Sequence, residues 1–155
     1  MMNIKRFVTL PILCTLAIIT ITGCSKNNGV NVYQQVSEYN FEETLLNLDI
    51  AISEYNYRII HRSQIGQAIR DRGEKNFPLS TITNFCNITY AKEMMEINSD
   101  LINEMPCTIA VREETVQGII VSTRLMNEHT ANEKQNQFAV KINNNLKSII
   151  AATVE

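Results

Sequence analysis

The strongest constraint on this chain is a repeated change in its hydrophobic period. Phe41, Leu45, Leu48, Ile52 and Tyr55 fall at helical spacing, with Glu42, Glu43, Asp49 and Glu54 on other faces, and Phe138, Ile142, Leu146, Ile149 and Ile150 repeat the pattern near the C-terminus. Elsewhere the period shortens to that of strands: Val30 to Tyr39, Tyr57 to Arg62, Thr81 to Cys86, Cys107 to Arg112 and Gly118 to Thr123. In the first of these, Val32 and Val36 are expected on the core face. Thr108-Ile109-Ala110-Val111 against Ile119-Ile120-Val121, joined by a turn at Glu113 to Thr115, is the clearest hairpin. Strands and helices interleave with one adjacent strand pair, which predicts an α+β fold with a mainly antiparallel sheet.

Local signals agree with this order. Asn40 followed by Glu43 has the spacing of a helix N-cap with its capping-box partner, and acids in the first turn suit the helix dipole. A short helix around Gln67 to Arg72 is ended by Gly73, Phe77-Pro78 marks a loop, and Thr89 to Glu96 is a helix with Ala91, Met94 and Met95 expected inward. Pro106 introduces the fourth strand. Glu113 and Glu114 are expected to be a solvated turn.

The N-terminus has a different grammar. Lys5 and Arg6 precede an uncharged apolar stretch from Phe7 to Thr22, and Ile21-Thr22-Gly23-Cys24 resembles the bacterial lipobox. The expectation is a signal peptide over residues 1–23, cleaved before Cys24, with lipid on the Cys24 thiol. Sixteen apolar residues interrupted by Pro11 and four threonines are short for a spanning helix, which needs about 20. Residues 24–30, polar after Cys24, form a flexible tether, and Ser25 favours the outer membrane under the enterobacterial sorting rule. The expected location is therefore the bacterial cell envelope, on a membrane and facing the periplasm.

Removing residues 1–23 leaves 132 residues, enough for one core, and residues 31–155 are expected to form a single domain. The composition, 45% hydrophobic and 19% charged, lies in the globular range. The net charge of −2 becomes −4 once Lys5 and Arg6 are lost, and with no basic run it argues against nucleic acid as a partner.

Three strings, Asn40-Phe41-Glu42-Glu43-Thr44, Phe85-Cys86-Asn87 and Met105-Pro106-Cys107, occur in an order and spacing that resembles the domain-of-unknown-function 302 family over roughly Val32 to Val154. The chain departs from the family pattern at Ile88, where proline is usual, and in a hairpin turn poor in acidic and glycine residues. The resemblance implies a compact α+β domain with helices on one face of the sheet, like one half of the TATA-binding-protein fold. It also implies a domain that is often a homodimer, and it implies no activity.

Of the four cysteines, Cys14 lies in the signal and Cys24 carries lipid, so Cys86 and Cys107 are the candidate thiol pair. Three readings are open. They are small apolar core residues, a disulfide closing a loop of about 20 residues and adding on the order of 3 kcal/mol, or a redox or soft-metal site, for which Cu(I) suits two sulfurs better than zinc. His61, Asn84 and Asn87 are candidate accessory residues; His61 and His129 are the only imidazoles, and Asn87 also suits a helix cap. The sequence holds no Gly-rich phosphate loop, nucleophile elbow or His-Glu metalloprotease string, so neither catalysis nor a cofactor is expected. The leading expectation is a membrane-anchored, non-catalytic module that binds a small ligand or a protein partner; the rival is a thiol-based redox or copper-handling protein.

Overall fold

The computed structural model describes residues 31–155. The expected signal peptide over residues 1–23 and the expected tether over residues 24–30, with Cys24, lie outside the described residues. The elements run β1 (Val32–Ser37), α1 (Phe41–Glu54), β2 (Arg58–Ser63), α2 (Ile65–Asp71), β3 (Ser80–Cys86), α3 (Ile88–Ile97), a 3-10 helix (Ser99–Glu104), β4 (Cys107–Glu114), β5 (Gly118–Arg124) and α4 (Glu133–Val154). The five strands form one sheet in the order β1-β5-β4-β3-β2, and every pairing is antiparallel. The fold is α+β. Among the described residues, no helix is long and apolar enough to cross a membrane.

The two apolar stripes meet over one face of the sheet. In α1, Phe41, Leu45, Leu48 and Ile52 are buried, and in α4, Phe138, Ile142, Leu146, Ile149 and Ile150. They pack on Phe85 of β3, Ile109 and Val111 of β4 and Val121 of β5, all fully buried. These strand residues alternate with outward ones, as a pleated sheet requires. The Asn40 side chain caps α1 by accepting from the Glu43 N–H at 3.0 Å. Asn132 does the same for α4 from the Gln135 N–H, so that α4 begins before its apolar stripe, within the polar stretch ahead of Phe138.

Three side-chain directions differ from expectation, the first being Tyr55, which caps the C-terminus of α1 and is exposed instead of continuing its buried stripe. On β1, Val32 and Val36 are each 53% exposed, and the inward residues are Tyr33, Gln35 and the buried Ser37. The cross-strand partners explain the phase: Gln35 stands opposite the buried Val121, whereas Val32 and Val36 stand opposite Arg124 and Ile120 on the other face. In α3, Met94 is buried but Met95 is 44% exposed, since adjacent helical positions are about 100° apart and α3 offers only one face to α4.

Glu113 and Glu114 belong to β4 rather than to a solvated turn. The Glu113 carboxylate accepts from the Leu79 N–H at 2.6 Å and from Arg70 at 3.3 Å, tying α2 to the sheet end. Glu114 pairs with Arg112 at 2.8 Å; Arg112 also reaches Ser122 and Gln34, and the three bonds lay a polar lattice over the face that carries no helix.

Candidate functional site

The candidate site forms where β3 ends and β4 begins. β3 runs out at Cys86, Asn87 caps α3, and the chain returns through the 3-10 helix and a cis Met105-Pro106 bond to enter β4 at Cys107. The Asn87 side-chain oxygen accepts from the Thr89 and Tyr90 N–H groups at 2.9 and 3.1 Å, and its amide donates to the Asn56 carbonyl at 2.8 Å. The oxygen is therefore committed to capping α3, and one amide N–H ties the cap to the turn after α1. The first half and middle of α3 are fixed to α4 by Lys141, whose ammonium bonds Glu93 at 2.8 Å and lies 4.5 Å from the Tyr90 ring centroid.

Held in this way, α3, α4 and the sheet end leave a cavity of about 280 Å³ between them. Its apolar wall is Tyr57, Tyr90, Met94, Phe138, Ile142 and Leu146. Tyr57 stacks edge-on against Phe85 at 5.4 Å and its hydroxyl accepts from Asn145 at 3.2 Å. Cys86, Met105, Pro106, Cys107 and Met126 complete another part of the lining, with Glu104 and Arg124, paired at 3.0 Å, beside them.

Both sequence-predicted thiols reach this cavity, and both are free. Phe85, not Cys86, stands opposite Cys107 in the β3–β4 register, so the two cysteines are diagonal neighbours whose side chains leave the pleat in opposite directions. That arrangement disfavours a disulfide. Burial pushes the Cys107 thiol up to about 11, and the nearby Cys86 adds to the rise; burial also raises Cys86. Both thiols are thus protonated and poorly nucleophilic at neutral pH, which weighs against thiol-disulfide exchange.

Asn87 lines the cavity, but His61 and Asn84 do not. They stand opposite one another on the helix-free face, His61 bonding Ser63 at 3.0 Å and Asn84 accepting from Thr108 at 3.1 Å. His129 is exposed on the segment before α4. Among the described residues, no three His, Cys, Asp or Glu side chains are grouped to hold a metal ion.

Sequence reasoning missed Asn143. Fully buried in α4, it accepts from the Met126 N–H at 2.9 Å and donates to the Met126 carbonyl at 3.0 Å and the Glu128 carboxylate at 2.8 Å. It thereby fixes Met126 in the cavity wall. The only available signal was an Asn143-Asn144-Asn145 run inside an apolar helical pattern, which does not say which asparagine turns inward.

No curated protein matches the chain. A solved structure described as an uncharacterized conserved protein DUF302 from Bacillus stearothermophilus is similar in fold, with a TM-score of 0.72 at 13% identity, over 80% of this chain and 98% of that one. The likeness at that identity concerns the fold alone. The model of the family described as Domain of unknown function DUF302 matches residues 33–153. By that match, covering all the secondary structure described above except the extreme ends, the chain belongs to the DUF302 family.

Proposed function

We propose that this protein is a membrane-tethered, non-catalytic binding module that takes a small ligand into the cavity between α3, α4 and the β3–β4 sheet end. The observation that carries the reading is the cavity itself: about 280 Å³, walled by aromatic and aliphatic side chains with few polar groups, close to the lower size of small-molecule sites. Its builders are committed to structure: Asn87 caps a helix, Asn143 clamps Met126, and Asn145 bonds Tyr57. Among the described residues that line it, the acid Glu104 is paired with Arg124 and no second carboxylate or imidazole joins it. In this reading the lipid on Cys24 keeps the module at the envelope membrane, and the acidic net charge sets nucleic acid aside as a partner.

The test uses the domain from residue 31 to 155 and a naphthalene-based apolar fluorophore. Enhanced, blue-shifted emission with saturable one-to-one binding is expected. Ala91, part of the cavity lining, is the position to block: Ala91→Phe fills the space and should abolish the signal while the thermal melt stays cooperative. Binding of equal affinity in Ala91→Phe would refute the cavity as the site. Self-association, the other partnership considered, is read separately by light scattering on the same domain.

A further inference from the structure

The wall of the cavity differs in kind from the core beside it. Apart from Phe41, Tyr57, Phe85, Phe138 and Met94, the central hydrophobic cluster is built of Leu, Ile, Val and Ala. Around the cavity that balance reverses: three rings, Tyr57, Tyr90 and Phe138, and three thioethers, Met94, Met105 and Met126, outnumber the branched aliphatics, which are Ile142 and Leu146. The rings and thioethers arrive from separate places, the residue before β2, α3, the turn before β4, the segment after β5 and α4, so the grouping belongs to the cavity and not to one helix face. Two of the rings already meet at an angle, Tyr57 and Tyr90 lying 5.8 Å apart with their planes at 55°. Such a wall favours a flat π system, which gains edge-to-face and sulfur-to-ring contacts that a saturated chain cannot make. An apolar cavity of about 150 Å³ takes up one benzene ring. About 280 Å³ therefore suits two fused rings.

The polar groups of the wall are equally selective. Glu104 and Arg124 are paired at 3.0 Å, and burial holds the Cys86 and Cys107 thiols protonated, so the wall presents no uncompensated charge at neutral pH. Tyr57 is only 6% exposed, and its hydroxyl accepts from Asn145 at 3.2 Å while its own proton has no acceptor among the described residues. Burial raises this hydroxyl far above its ordinary range and keeps it a neutral donor. The other groups that act on it are Asn145, Cys107, Tyr90 and Cys86, and the last three line the cavity, so the hydroxyl stands at the cavity surface. A buried donor without an acceptor costs free energy that an occupant can return.

We infer that the occupant is an uncharged aromatic carbonyl compound, its flat rings against the methionine and aromatic wall and its carbonyl oxygen accepting from the Tyr57 hydroxyl. The inference rests on this cavity being the ligand site and names the chemical class that the site takes. A carboxylate is set aside because Arg124 is already paired, and a saturated chain because Ile142 and Leu146 are a small part of the wall.

The experiment uses residues 31–155, which hold the whole sheet and its core, and acetylnaphthalene with an isotopically labelled carbonyl carbon as the probe. Titration calorimetry should give one site per chain. Two compounds of similar outline test the class. Naphthoate, with a charged group in place of the acetyl, should bind at least about a hundredfold more weakly. Acetyldecalin, saturated and more apolar, should bind about fivefold more weakly. In the infrared, the labelled carbonyl band of the bound ketone should lie below its position in hexane. Tyr57→Phe, which keeps the ring against Phe85, should return the band toward the hexane value and weaken binding about fivefold. The wild-type band decides the point even where that variant fails to fold. No uptake of the ketone, equal affinity for naphthoate or acetyldecalin, or a bound band at the hexane position would each overturn the inference. With the naphthalene-based fluorophore still bound, the cavity reading survives those results; a folded wild type that refuses the fluorophore as well as the ketone sinks both.

Discussion

Replacing Asn143 with alanine removes three hydrogen bonds at a position with no solvent exposure. The two bonds to the Met126 backbone are neutral and contribute about 1 kcal/mol each, while the bond to the Glu128 carboxylate is charge-assisted and contributes about 1.5 kcal/mol, taken at the low end because Glu128 is half-exposed. Alanine is the better helix former and returns about 0.5 kcal/mol. The net expectation is a loss of about 3 kcal/mol, or about 10 °C in Tm for a domain of this size. Asn144, exposed on the same helix, is the control: Asn144→Ala should be neutral or stabilising by about 0.5 kcal/mol. Urea unfolding of the two variants gives the comparison, and amide hydrogen exchange at Met126 gives the location, since its N–H loses its acceptor only in Asn143→Ala. Equal urea midpoints for the two variants, or unchanged protection at Met126, would refute the argument that Asn143 clamps the segment between β5 and α4.

Leu48→Asp buries a charge at a fully enclosed site and should cost several kcal/mol, whereas Asp49→Ala loses only a partly exposed pair with Arg62, worth under about 1 kcal/mol; the two urea midpoints should be well separated. Gly66→Ala would put a Cβ 2.5 Å from both the Pro78 carbonyl and the Ser80 nitrogen, backbone atoms that cannot turn aside, so a loss of about 2 to 3 kcal/mol is expected by calorimetry. The Cys107 thiol, raised from 9.0 to about 11, stays protonated in the folded chain while the unfolded chain ionises. Its contribution is therefore complete below pH 9.0 and lost as pH rises through about 11, and the alkaline fall in the urea midpoint should be smaller in Cys107→Ala than in wild type. Cys24→Ala should eliminate metabolic fatty-acid labelling; label retained on that variant would contradict the tether.

Long periodic stretches were legible in the sequence because their burial is set by local spacing. The stripe from Phe41 to Ile52 and its Asn40 cap are properties of consecutive residues, and so are Ile109 and Val111 in β4. The β1 face was not legible. Valines are a poor guide at a sheet edge, where both faces are partly open and the register with β5, not apolarity, decides which side is inward. Met95 was misplaced for a related reason: a ten-residue helix touching the core along one line leaves little room for a second methionine beside Met94. Cys86 and Cys107 could be read as a pair once an antiparallel β3–β4 neighbourhood was considered, but the cavity between them and Met126 depends on α4 crossing the sheet end, a contact between residues far apart in the chain.

The register of β1 has a geometrical consequence for how the cavity meets its surroundings. Val32, the first residue of β1, is aligned with Arg124, which in turn lies beside Thr108 and Asn84 in a single row across the sheet. Arg124 and Thr108 are part of the cavity lining, so the chain enters the domain at the cavity's own end of the sheet, about two strand spacings, or roughly 10 Å, away. The stretch from Cys24 to Val32 spans at most about 30 Å when fully extended. On the proposed lipid anchor, the opening is therefore leashed to the bilayer surface and sweeps a shell about one membrane thickness deep. A ligand would be exchanged with that interfacial layer, or with proteins embedded beneath it, more readily than with the open periplasm.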